Sequence, residues 1–337
     1  MLLSEHLVLF FTGCTVEASA AMNACSLPTL RRLAMTCRSL YATVQQYTEG
    51  RIEKRLALFG LDYDRVLRVL RSTESIILGS FVLACVAPAL PEIQVDNIDF
   101  MVPTDHLHKF TRSVTVDTEY ALVSPQHLPI QYNRKVIGVV SYRFETSGKQ
   151  LFLNFHVVNG YSNEFMLETL FYSATTLTMN AITGWGIFCA YSDLLEQGMA
   201  LRNDPTTMRR YNKVIAAETT DDFERDNIRQ TKMEHRGFSF AAPNGSTHTF
   251  HQCLGSCANS YSCPDAIRSV RDAGSRFFAL FDNAERRESG RRWIRNQELK
   301  ITAFELPDTM WRLSNSIEYM PRKAAGRGFT ATLQSGE

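Results

Sequence analysis

Between Ile76 and Pro103 the chain carries an order of residues that leaves few architectures open. An apolar run ends in Gly79-Ser80, an apolar helical segment and a Pro-containing loop follow, and a strand, Ile98 to Val102, has acidic residues at its entry. Glycine after a strand permits a tight turn, and serine at the start of the next helix suits an N-cap. Alternation along a strand puts residues i and i+2 on one face. Asn97 and Asp99 therefore share a face, and an undistorted strand turns Asp96 to the other.

That order resembles the nucleotidyltransferase fold, whose motif is an apolar residue, Gly, Gly or Ser, a spacer, and then Asp-x-Asp or Asp-x-Glu. The resemblance implies an α+β chain with a nucleotidyltransferase-like mixed sheet flanked by helices. It also implies that Gly79 and Ser80 approach the phosphates of a nucleoside triphosphate, and that Asp99, with Asp96 swung inward, holds magnesium. Two-metal phosphoryl transfer needs carboxylates that share divalent ions. Here Asn97 stands where the first acid is expected, and the spacer over 81–96, sixteen residues, is longer than the fold usually has.

Val136 to Phe144 and Gln150 to Val158 read as a hairpin closed around Thr146-Ser147-Gly148-Lys149. In the second strand Leu151, Leu153, Phe155 and Val157 form one face, and Gln150, Phe152, Asn154 and His156 the other. The resemblance places a third carboxylate on a later strand, yet this polar face offers Asn154 and His156 and no acid. Neutral amide and imidazole are poor ligands for a hard cation such as magnesium. With two of three acids absent, the leading reading is a catalytically degenerate pseudoenzyme that binds a nucleotide or a protein partner. His156 reads as a hydrogen-bonded strand residue in preference to a general base. An active magnesium-dependent enzyme using Asp99 and Asp96 is the alternative.

Upstream, Leu27, Leu30, Leu33, Ala34, Cys37, Leu40, Tyr41 and Val44 recur at helical spacing. With Leu7 to Phe11 as an earlier helix, and with Ser26-Leu27-Pro28 and Cys37-Arg38 in place, this stretch resembles the later part of an F-box. The resemblance implies that Leu27, Pro28, Leu30, Leu33 and Leu40 dock a Skp-type adaptor of a ubiquitin ligase. A helical cap whose Leu and Cys stripe packs on the next domain is the competing reading. Helix continues from Arg51 to Leu70, with Gly60 as a stop between two helices.

Further on, Phe171 to Thr175, Met179-Asn180-Ala181-Ile182-Thr183, Tyr191 to Leu194 and Lys232 to Phe238 resemble elements of a group of uncharacterised fungal, mainly mushroom-type, proteins. Asn180 is expected on a helix, capping a neighbouring backbone. His251, Cys253, Cys257 and Cys263 have the ligand types of a zinc site without its tight paired spacing, so ordinary thiols are the preferred reading. Ala266 to Arg287 reads as a long amphipathic helix and Trp293 to Trp311 as a closing strand; the tail from Pro321 lacks apolar periodicity.

A chain of 337 residues holds two or three units. The expected divisions are an F-box-like segment over 1–60, a nucleotidyltransferase-like domain over 61–200, an extension over 201–320 and a disordered tail over 321–337. A net charge of +1 without a long basic run gives no signal of a broad nucleic-acid footprint. Cys37, Cys85 and Cys189 lie inside apolar segments, which suits buried thiols in a reducing compartment. Leu7 to Phe11 followed by Ala18-Ser19-Ala20 mimics a signal peptide, but Glu5 precedes it and no Lys or Arg does. No stretch approaches the ~20 apolar residues of a membrane span. An intracellular protein, cytoplasmic or nuclear, is expected.

Overall fold

A computed structural model describes residues 10–11, 13, 16–87, 95–126, 136–146, 148–158, 170–171, 173, 175–201, 228, 230–241, 268–269, 275–280 and 310–311. Before the first strand lie the helices α1 (Val16–Ala24), α2 (Leu27–Ala34), α3 (Arg38–Ala57) and α4 (Tyr63–Thr73). Their boundaries follow from local chemistry. Ser26 Oγ accepts from the Thr29 amide at the start of α2, where Pro28 occupies the first turn without losing a needed donor. Gly60, at φ +66°, closes the stretch after α3, as expected. Asp62 then accepts from the Arg65 amide and opens α4.

Strand β1 (Ile76–Leu78) leads through Gly79 into α5 (Ser80–Val86), and β2 (Asn97–Pro103) leads through a 3-10 turn (Thr104–His106) into α6 (Leu107–Thr115). Next come β3 (Ala121–Gln126), β4 (Val136–Thr146) and β5 (Lys149–Val158). Beyond them lie β6 (Asn180–Thr183), β7 (Gly186–Cys189), the short helix α7 (Ser192–Glu196), β8 (Met199–Leu201), β9 (Ser239–Ala241), β10 (Arg268–Ser269), β11 (Arg276–Ala279) and β12 (Met310–Trp311). Among the described residues eight strands form one sheet in the order β11-β7-β6-β1-β2-β5-β4-β3. Its centre holds a parallel pair, β2 with β5, and its other pairs are antiparallel. The chain is thus α+β, with a large mixed sheet flanked by helices. Among the described residues no helix is long and apolar enough to cross a membrane.

One sheet face packs on the helices. Ile98, Phe100 and Val102 of β2 and Leu151, Leu153 and Phe155 of β5 share a buried cluster with Leu30, Ile52, Leu56, Leu67, Phe81 and Phe110. Phe100 stacks on Phe155 with centroids 5.3 Å apart, and Phe110 meets both edge-on. On the other face Ile76, Met101 and Val158 pack with Phe171, Met179, Phe188, Tyr191 and Leu194. The hairpin and its alternation are as the sequence predicts.

Three expectations are corrected. Asn180 opens strand β6 and is not helical, although its Nδ2 does cap the Leu177 carbonyl at 2.8 Å. Ala266 to Arg287 is no long helix where it is described: β10 and β11 lie there, and Phe278 and Ala279 are buried against the sheet, whose open edge at β7 outweighs helical periodicity. Ser80 is the first residue of α5, and Gly79 takes the cap position. Of the expected closing strand only Met310–Trp311 is described, paired with β10. The four zinc candidates and the tail lie outside the described residues.

Candidate functional site

Register places the polar side chains in rows across the second sheet face. One row runs Ser141, Asn154, Asp99, Leu78, and the row beside it runs Arg143, Phe152, Asn97. Asp99 sits at the centre. Its Oδ1 accepts from Asn97 Nδ2 at 2.7 Å and from Asn154 Nδ2 at 2.9 Å, and His156 Nε2 lies 3.5 Å from the same oxygen. Ser141 donates its hydroxyl proton to Asn154 Oδ1 at 2.9 Å, which orients that amide with its nitrogen toward Asp99. Burial alone would raise the Asp99 pKa. The His156, Asn154 and Asn97 donors, with the charge of His156 when protonated, outweigh it and hold the carboxyl below its ordinary value.

The turn after β1 presses on this carboxylate. A Cβ at Gly79 would stand 2.7 Å from Asp99 Oδ2, and the backbone there has φ +79°. Both facts demand glycine. Ser80 Oγ accepts from Arg236 Nη1 at 3.0 Å. Arg236 follows a helical turn over 230–235 and precedes Gly237, at φ +87°, and the buried Phe238. Burial lowers its pKa and the negative charge of Asp96 raises it; a guanidinium so placed stays charged. Asp96 is exposed, and its carbonyl accepts from the Phe152 amide at 2.8 Å.

The sequence had named Asp99, Asp96, Gly79 and Ser80 as site residues and Asn97, Asn154 and His156 as side chains sharing the face of Asp99; the fold sets Gly79 and those three beside Asp99, with Ser80 next along the chain, and leaves Asp96 exposed. It brings Arg236 as well, to which the sequence had assigned no role; the only signal was its place in the Lys232 to Phe238 element. Ser141 was also missed, because an isolated serine in a strand carries no pattern.

Of the side chains around Asp99, Asn97, Asn154 and His156 are poor partners for magnesium. The ion takes oxygen ligands, but both amides turn nitrogen toward Asp99, and Oδ1 is already surrounded by three donors. Among the described residues no group of three or more His, Cys, Asp or Glu side chains is placed to hold a metal ion.

The adaptor candidates lie on α2 and at the start of α3. Leu27, Leu30 and Leu40 are 2%, 0% and 2% exposed, Pro28 is buried, and Leu33 packs half-buried against the same core. The stripe is used inside the chain, because the first sheet face needs a helical cover. Presenting it to an adaptor would require α2 to leave the core. No family model matches the chain, and no curated protein sequence matches it either.

Proposed function

We propose that this chain is a nucleotidyltransferase-fold protein that has lost metal chemistry and acts by binding, with the phosphate of a nucleotide held at Ser80 and Arg236. The observation that carries the reading is the filling of the Asp99 position. Three side-chain donors gather at Oδ1 of the carboxylate that a metal-dependent enzyme would offer to its ion. Beside that carboxylate, Ser80 and Arg236 supply a hydroxyl and a guanidinium suited to phosphate oxygens.

The charge of Asp99 opposes a phosphate at the neighbouring turn, so binding is modest and each added phosphate gains little. Asp99→Asn keeps an acceptor for the three donors while removing the charge, and it should tighten binding of AMP and ADP by roughly three- to tenfold in the absence of divalent ions. An active enzyme has the opposite sign, since there the same change removes the metal ligand. Calorimetric titration of wild type, Asp99→Asn, Ser80→Ala and Arg236→Ala, with and without magnesium, separates the two. Binding that requires both magnesium and Asp99 would overturn the proposal in favour of an enzyme. Failure of every nucleotide to bind would overturn it in favour of a scaffold.

A further inference from the structure

Helices α4 and α6 carry cations that the chain leaves without acidic partners. Arg65 Nη1 donates to the Val116 carbonyl at 2.8 Å, and Lys109 Nζ donates to the Ser72 carbonyl at 3.1 Å. The start of α4 therefore lies against the end of α6, and the end of α4 against the start of α6. Arg68 stands three residues after Arg65 and four before Ser72, and Arg112 stands three after Lys109 and four before Val116. At those spacings each arginine shares a helix face with both contact residues of its own helix. Arg68 and Arg112 thus occupy the middle of one outer strip, with Lys109 a turn away. All three are exposed, and among the described residues none of them forms an ion pair. Asp64 gives Arg68 its backbone carbonyl, 3.2 Å from Nε, and not its carboxylate.

Like charges gathered without partners repel one another, and an anion from outside relieves them. Acids limit the size of that anion. Asp62, Asp64 and Asp117 stand at one end of the strip, where Asp117 pairs with Arg65 at 3.3 Å, and Glu74 and Asp105 stand at the other. A membrane surface or a nucleic-acid backbone would press its charge against both ends, whereas a single phosphate meets only the middle. Two guanidinium forks and an ammonium suit its three oxygens. We propose that the α4–α6 strip binds a phosphorylated side chain of a partner polypeptide through Arg68, Arg112 and Lys109.

The test is fluorescence anisotropy of the full chain with a labelled glycine-alanine peptide that carries one central phosphoserine, beside the same peptide with serine. The phosphopeptide should bind roughly tenfold or more tightly than the serine form, and salt at about 0.3 M should weaken it. Arg68→Ala and Arg112→Ala should each weaken it roughly five- to tenfold. Arg32→Ala, on α2 and paired with Glu196, should leave it within about twofold, since its charge is already spent. Melting temperatures equal to wild type in the two strip variants exclude a folding defect as the cause. Equal binding of the two peptides, no binding of the phosphopeptide, or binding unchanged in the Arg68→Ala/Arg112→Ala double variant would each overturn the assignment. Tighter binding to phosphatidylserine vesicles than to the phosphopeptide, lost in the double variant, would overturn it in favour of a membrane surface.

Discussion

With asparagine at position 97, the carboxylate two residues on has a donor beside it where a second acid would repel it. That single side chain converts a potential ion-binding pair into a hydrogen-bonded cluster. Asn97→Asp should therefore destabilise the protein in the absence of divalent ions and make its melting temperature rise with added magnesium. A melting temperature indifferent to magnesium in the variant would mean that Asn154 and His156 close the site on their own. The lowered Asp99 pKa also has a sign for stability. Its contribution is present above the ordinary carboxylate pKa of about 4 and is lost as pH falls through the lower folded value. The stability difference between wild type and Asp99→Asn, read by urea denaturation, should thus be largest near neutrality and shrink below pH 4. At Gly79 an alanine meets two obstacles, positive φ and the Asp99 oxygen, and should cost about 1–3 kcal/mol from the backbone alone. Adding Asp99→Ala should recover the contact cost and leave the backbone cost in place.

At the scale of elements, β5 serves both faces of the sheet. Phe155 fills the helical side against Phe100 and Phe110 while Asn154 and His156 face the site. Phe155→Ala should cost about 3–5 kcal/mol in denaturant unfolding, and the disturbed strand should weaken nucleotide binding without any change at Ser80. Helix α2 is fully committed to the core through Leu27 and Leu30. Leu30→Asp, which in an adaptor-docking protein would spare the fold, should instead unfold this chain, as circular dichroism would report. Burial pushes the Cys85 and Cys189 thiols up to about 12, so neither should react with a maleimide before unfolding.

Across the whole molecule one buried cluster gathers residues from Met22 to Leu280, so helices from the start of the chain, the central sheet and the edge strand β11 share a core. Sequence alone determined what short-range rules govern. The Gly79-Ser80 turn, the stop at Gly60, the β4–β5 hairpin and the faces of β2 and β5 follow from glycine's freedom and from periods of 3.6 and 2. The same alternation showed that the face of Asp99 carried two amides and an imidazole. Tertiary structure decided the remainder, because those outcomes depend on partners far apart in the chain. The packing of Leu27 and Leu30 in one core with the sheet was one such outcome, and the strand identity of Arg276–Ala279 was another, set by the open edge of β7. The arrival of Arg236 at Ser80, 156 residues away, was a third, since no local period encodes a contact made by folding.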